Sequence, residues 1–142
     1  MRLTNLFLSL LLLGSFMSAS KTLAAEKELE KLQGDWTAQV ETDQGGKTAT
    51  MTVTGKKIRF DGPTGKEWYE GTFDIDETTK PKRISVLIED CAIEQFKKQT
   101  VEGIYRLEGK TWTIAATAPG SPEGPSGFDD EKASTIEFEK DI

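Results

Sequence analysis

The residues best suited to binding a small molecule in this chain are aromatic. Seven rings fall on positions that an alternating apolar pattern turns toward one face: Trp36, Phe60, Tyr69, Phe73, Tyr105, Trp112 and Phe138. Four of them, Tyr69, Phe73, Tyr105 and Trp112, are our candidate ligand-binding residues. Rings supply apolar contact area, and the two tyrosine hydroxyls can orient an apolar guest.

Two glycines bear on the same hypothesis. Gly71 and Gly103 occupy inward positions without a side chain, where a neighbouring ring or a ligand can enter. The simpler interpretation is packing, because inward apolar faces are ordinarily core. An eight-stranded barrel is just wide enough for side chains or for one small ligand. The residue pattern leaves both interpretations open.

Histidine is absent, which removes most of the familiar catalytic chemistry. A chain with no histidine has no Ser-His or Cys-His nucleophile, no imidazole proton shuttle and none of the commonest zinc sites. Cys91 is the single cysteine, so no intramolecular disulfide and no iron–sulfur cluster can form. Its neighbours Glu89 and Asp90 blunt the reactivity of the thiol, which leaves a tolerated cysteine or an intermolecular bridge. We expect no catalytic residue and no cofactor.

Acidic residues are the remaining candidates for chemistry. Asp74 with Asp76, and the run 129–131, have the oxygen ligands that calcium prefers, yet neither matches an EF-hand loop. We expect no metal site, since acidic outward faces are common. Gly46-Lys47-Thr48 and Gly109-Lys110-Thr111 imitate the end of a P-loop but lack its upstream glycine, and both are predicted to be turns.

The elements that position these residues are predicted to be strands. Leu29 and Leu32 share one side of a short N-terminal helical turn, Gly34 ends it, and Trp36 opens the first of eight alternating segments. Local turns join the segments, the tightest at Glu108-Gly109. The pattern predicts an all-β fold, an eight-stranded up-and-down barrel, with a two-sheet sandwich as the alternative. Because the strands alternate throughout, we expect one apolar face and one solvent-exposed face.

Two segments interrupt the alternation. Residues 90–99 contain Ile93 and Phe96, which suit a helical turn over an open end of the structure. Residues 117–132 are long and rich in proline, glycine and acid, and loops of that length are usually functional or disordered. Everything from residue 26 to residue 142 is predicted to form one domain.

The N-terminus has the pattern of a secretory signal peptide. Arg2 precedes an apolar run over 6–16, and small residues suited to cleavage follow it. We therefore assign residues 1–20 to a signal peptide, with cleavage as late as residue 24, and expect an exported protein, periplasmic or secreted. The apolar run is too short to span a bilayer, so no membrane span is expected in the mature chain. The net charge of −6 argues against binding nucleic acid or anionic membranes.

Several motifs together resemble one family. They are Leu32-Gln33-Gly34-Asp35-Trp36, the stretch 71–76 running to Lys80-Pro81-Lys82, the stretch 103–109, and the region 125–128. In this order, behind a signal peptide, they resemble the lipocalin-like planctomycetal conserved-domain family of small exported domains. The resemblance implies a lipocalin-like β-barrel and no established activity.

The chain departs from that family in two places. Residues 90–99 are longer and less glycine-rich than the family pattern. Lys140 stands where such domains tend to carry an arginine that packs over the entrance tryptophan. Lysine has no planar guanidinium to stack, which puts that closing interaction in question.

Two functions fit these expectations. The first is a non-enzymatic barrel that binds a small apolar ligand in its mouth. The second is a filled-core domain that acts through its loops, such as 117–132, on another exported protein. In either case we expect a monomer.

Overall fold

The computed structural model describes residues 23–43 and 45–141. The predicted signal peptide, residues 1–20, lies outside the described residues, and so does Gln44. Helix α1 covers residues 23–32, longer than the single turn that the sequence predicts around Leu29 and Leu32. Leu32 is buried at its end, while Leu23 and Ala24 at the start of the described helix are exposed.

Eight strands follow the helix, as the alternation predicts. They are β1 Gly34–Thr42, β2 Gly45–Thr54, β3 Lys57–Asp61, β4 Trp68–Asp76, β5 Lys82–Cys91, β6 Thr100–Glu108, β7 Thr111–Ala116 and β8 Ser134–Lys140. A short 3-10 helix, Glu94–Phe96, lies between β5 and β6 in the segment that lost the alternation. Gly46-Lys47-Thr48 belongs to β2, so its prediction as a turn is wrong, whereas Gly109 takes a positive φ in the tight β6–β7 hairpin.

The strands form a closed antiparallel barrel in chain order. Each strand pairs with the next one, and β8 returns to β1 through the pairs Trp36↔Lys140 and Thr37↔Glu139. This confirms the eight-stranded up-and-down barrel and eliminates the two-sheet sandwich. Closure matters physically because it pairs strand edges that would otherwise be open to other chains.

The interior is filled by the apolar positions of the alternating pattern. The buried core includes Trp36, Met51, Val53, Ile58, Phe73, Ile84, Val86, Ile88, Tyr105, Trp112 and Phe138. Five of the seven predicted inward rings are buried, and Phe60 and Tyr69 are partly buried and pack against the core. A core of this kind follows from burying one face of every strand.

The outer face of β6 and β7 is buried too, against the expectation of one uniformly wet face. Ile104 and Ala115 point outward on these strands yet are 1% and 0% exposed. The reason is residues 117–133, here called the strap. Thr117 donates its N–H to the Glu102 carbonyl at 3.1 Å, and Gly120 donates to the Thr100 carbonyl at 3.0 Å. Farther along, Gly124 lies beside the Glu102 side chain, and the Arg106 guanidinium lies 4.6 Å from the centre of the Phe128 ring. The strap therefore crosses the outer face of β6 as an ordered part of the fold.

Helix α1 closes one end of the barrel. The Trp36 indole donates to the Leu32 carbonyl at 2.9 Å, and the Gln33 amide exchanges hydrogen bonds of 3.0 and 2.6 Å with the Gly55 backbone. The Lys140 ammonium lies 5.5 Å from the centre of the Trp36 ring and donates to the Lys31 carbonyl. Lysine thus covers the entrance tryptophan through a cation–π contact without the stacking that a guanidinium would give.

The inward glycines serve close backbone approach, so the expectation that a ring or a ligand enters there is wrong. The β4–β5 register shifts at Glu70/Gly71, and a Cβ on Gly71 would lie 1.8 Å from the Leu87 carbonyl oxygen. A Cβ on Gly103 would meet the Ala115 carbonyl oxygen at 3.0 Å and an Ile84 methyl at 3.2 Å. Strand backbone and aliphatic side chains already occupy both spaces.

Candidate ligand cavity at the open end of the barrel

The end of the barrel opposite α1 contains a cavity of about 300 Å³. The strands alternate in direction, so the end of β3, the start of β4 and the start of β8 meet there. We call this cavity the larger lobe. Its walls are formed by Met51, Phe60, Tyr69, Val101, Ile114, Ala116, Thr117, Ala118, Pro119, Lys132, Ser134, Ile136 and Phe138.

A second cavity of about 210 Å³, the smaller lobe, adjoins the first. The two lobes share Phe60, Tyr69 and Pro119. The smaller lobe is completed by Glu67, Trp68, Ile88, Cys91, Ala92, Ile93 and Phe96. The 3-10 helix after β5 therefore reaches the open end, where its segment was predicted to lie. We refer to both lobes together as the mouth cavity.

Tyr69 lies between the two lobes. Its ring packs against Phe60 with 5.3 Å between ring centres. Burial raises the pKa of its hydroxyl to about 12, because the apolar surroundings disfavour the phenolate. Among the described residues the hydroxyl has no hydrogen-bond partner. Tyr69 is thus a neutral polar group in an apolar wall, the property that its selection as a ligand-binding candidate required.

Phe73, Tyr105 and Trp112 lie nearer the closed end, and the structure does not gather them with Tyr69 in the mouth cavity. They are at most 2% exposed. Trp112 packs edge-on against Trp36 with 5.2 Å between ring centres, and Tyr105 lies 6.5 Å from Trp112. The Trp112 indole N–H has no acceptor in the described part of the chain. These contacts are those of a packed core.

Phe73 also lines a groove of about 230 Å³ beside α1, together with Leu29 and Ile75. This groove lies at the closed end and is separate from the mouth cavity. Strand direction is the signal that distinguishes Tyr69 from the other three candidates. Tyr69 is the second residue of β4, whereas Phe73 is the sixth, so the two lie at different heights.

A buried carboxylate at the closed end was not anticipated from the sequence. Glu28 on α1 is 5% exposed, forms an ion pair with Lys82 at the start of β5, and accepts a hydrogen bond from the Tyr105 hydroxyl at 3.3 Å. Burial, and secondarily the Glu28 charge, raises the pKa of Tyr105. A buried charge requires such partners. The contacts among Glu28, Lys82 and Tyr105 hold the helix against the barrel.

The acidic pairs have structural partners. Asp74 forms an ion pair with Lys56 at 3.0 Å, and Asp76 accepts the Thr78 N–H at 3.0 Å. Asp130 accepts the N–H groups of Ser126 and Lys132 at 3.0 and 2.9 Å. The hydrogen bonds from Thr78 and from Ser126 lower the pKa of Asp76 and of Asp130, respectively. No group of three or more potential metal-ligating side chains occurs within the described ranges.

Cys91 is buried in the wall of the smaller lobe. Its thiol donates to the Ile93 carbonyl at 2.9 Å. A cysteine held in this way is poorly placed for a bridge to another chain. It offers instead a chemical probe inside the cavity.

Comparison with known proteins adds no relative. No protein-family model, no curated protein and no solved structure matches this chain. In the part of the chain that the structure describes, no helix has the length and apolar character needed to cross a membrane. The resemblance to the planctomycetal domains stays a prediction, and the mouth cavity is the structural feature that bears on function.

Proposed function

We propose that this chain is an exported, non-catalytic barrel domain that binds a small apolar molecule in the mouth cavity. The observation that carries the proposal is the larger lobe, an apolar cavity of about 300 Å³ at the open end of the barrel. Ligand sites are typically concave, mostly apolar and supplied with a few polar groups, and they occur in the mouths of β-barrels. The export part of the proposal is supported by the signal-like pattern over residues 1–20.

The volume of the larger lobe limits the size of the ligand. A volume of about 300 Å³ has room for about ten water-sized groups at roughly 30 Å³ each. Ile114, Ile136 and Phe138 gain from contact with an apolar guest, since water in the same place would leave their surfaces solvated. The Tyr69 hydroxyl supplies an oriented polar contact. A molecule of about ten heavy atoms fits this description.

The alternative, interaction with another exported protein through the loops, has less support. The strap that was its main candidate is bonded to β6, and Pro125 in its middle is buried against the barrel. Thr117 and Pro125 are committed to the fold, although many other side chains of the strap are exposed. A partner would have to recognise the outer side of an ordered segment.

The test is a titration of the purified protein with 1-octanol, followed by amide NMR. We expect saturable shifts at Tyr69, Ile136 and the other residues of the larger lobe. Ala116→Phe fills that lobe and should weaken binding at least tenfold. The matched control Thr50→Phe adds the same ring to an exposed, outward-facing strand position and should leave binding unchanged.

Two results would overturn the proposal. One is the absence of any saturable shift at concentrations up to the solubility of octanol. The other is equal binding by the Ala116→Phe and Thr50→Phe proteins, provided that both retain the folded spectrum. The accessibility of the Cys91 thiol gives an independent readout, because a guest that reaches the smaller lobe should slow its alkylation.

A further inference from the structure

The larger lobe has one formally charged residue in its wall, Lys132. Lys132 is the second-last residue of the strap and stands two positions before Ser134, the first residue of β8. Both belong to the polar part of the wall, whereas Met51 and Phe138 supply buried apolar surface. The lobe is therefore amphipathic, with a cation and a hydroxyl on one part and core side chains on another.

The Lys132 ammonium has no carboxylate within ion-pair distance in the described part of the chain. Other cations of the barrel do have such partners: Lys56 pairs with Asp74, Lys82 with Glu28 and Lys97 with Glu94. Lys140 covers the Trp36 ring. Lys132 thus differs from them in lining the larger lobe without an ion pair, while the charge of Asp130 acts on it from beyond ion-pair distance.

Two acids in or beside the mouth cavity accept hydrogen bonds from other groups. Asp130 feels the Lys132 charge, but its oxygens accept three hydrogen bonds, from the Ser126 N–H, the Ser126 hydroxyl and the Lys132 N–H. Glu67, in the wall of the smaller lobe, accepts the Thr64 hydroxyl at 2.8 Å within its own loop. Asp130 keeps its charge and offsets part of the ammonium charge, but neither acid forms an ion pair with Lys132.

We propose that the ligand is an amphiphile with an anionic head, of the carboxylate class, and an unbranched apolar tail. This inference rests on the proposed function and specifies its ligand. The carboxylate meets the Lys132 ammonium and the Ser134 hydroxyl, which together offer four N–H and O–H donors. The tail lies against Ile114, Ile136 and Phe138. Charge complementarity selects the sign of the head, and the lobe volume limits the tail to medium length.

The experiment compares three probes of equal chain length: octanoate, 1-octanol and octylammonium. With the unmodified protein we expect octanoate to bind about fivefold more tightly than 1-octanol, and octylammonium more weakly than either. The expected factor is modest because Lys132 is exposed to solvent, where ion pairs contribute roughly 1 kcal/mol or less. Added salt should reduce the preference for octanoate.

Variants of Lys132 test whether this residue causes the preference for octanoate. Lys132→Gln should weaken octanoate about fivefold and leave 1-octanol unchanged, and Lys132→Arg should restore octanoate binding. Lys110→Gln is the matched control, since Lys110 lies exposed in the β6–β7 turn at the opposite end of the barrel.

The outcomes separate the two proposals. If none of the probes binds, the proposed function fails and this inference fails with it. If octanoate and 1-octanol bind equally and Lys132→Gln changes neither, the ligand is apolar but carries no anion, and only this inference is overturned. Preferential binding of octylammonium would overturn it as well.

Discussion

The two tyrosines show how a residue's height in the barrel decides its chemistry. Both are inward-facing, and burial raises the pKa of both hydroxyls. The Tyr69 hydroxyl, at the mouth, has no hydrogen-bond partner among residues 23–43 and 45–141, whereas the Tyr105 hydroxyl donates to Glu28 at the closed end. The first is available to a ligand, and the second helps hold the helix in place.

These shifts make stability depend on pH in the alkaline range. The chain has only two tyrosines, and each ionises more readily in the unfolded chain, where the pKa is near 10.0, than in the folded barrel. A folded pKa above the unfolded value contributes stability that is complete below pH 10 and is lost as pH rises. For Tyr69 the loss runs from about pH 10 to about pH 12.

We therefore expect no tyrosine to titrate at pH 10 while the protein is folded. Phenolate absorbance in the near ultraviolet should appear above that pH, together with loss of the near-ultraviolet circular dichroism. Tyr69→Phe should flatten the alkaline decline of the urea midpoint. About a quarter of the full phenolate signal at pH 10 in the folded protein, the half-ionisation of one tyrosine of ordinary pKa, would show that one hydroxyl is not buried as described.

At the scale of elements, the β4–β5 pair depends on the bulge at Gly71. A methyl group there would overlap the Leu87 carbonyl, a rigid backbone atom that cannot move aside alone. We expect Gly71→Ala to destabilise the protein by more than about 3 kcal/mol or to prevent folding. The measurement is urea denaturation, in which the midpoint should fall while the dependence of the unfolding free energy on urea concentration stays unchanged.

Gly46→Ala is the matched control for this substitution. Gly46 also lies in a strand, and a Cβ there would meet only the Glu41 carboxylate, at an ordinary distance of 3.6 Å. The free energy of unfolding of the Gly46→Ala protein should differ from that of the unmodified protein by less than about 1 kcal/mol. Equal midpoints for the Gly71→Ala and Gly46→Ala proteins would contradict the bulge geometry.

The sequence pattern determines strand faces well and strand heights poorly. Alternation placed Trp36, Met51 and Ile84 inside correctly, because a period of two directly encodes the face of a strand. It could not show which end of β4 opens into a cavity, so Tyr69 and Phe73, four residues apart on that strand, were selected together. It also predicted solvent around Ile104, because the strap that covers it is joined to β6 by backbone contacts without a periodic signature.

At the scale of the whole molecule, the two ends of the barrel differ in packing: one is closed and the other holds a cavity. The closed end is fastened by α1 through Glu28, Trp36 and Lys140, and the rings beside it form a continuous core. The open end is bordered by Phe96 and Pro119 and holds the mouth cavity. Because the contacts of α1 stabilise the closed end, the open end can retain a cavity.

This division bears on the predicted cleavage of the proposed signal peptide. Cleavage after residue 20 or residue 24 retains Glu28, whereas a cut beyond it would remove the carboxylate that meets Lys82 and Tyr105. We predict that the exported protein begins at Lys21 or Ala25, as read by intact mass of material recovered outside the cytoplasm. Replacing Leu11 and Leu12 by arginine should block export by interrupting the apolar run. Recovery of a chain beginning after Glu28, still folded, would show that the helix is dispensable, and unimpeded export of the arginine variant would overturn the signal assignment.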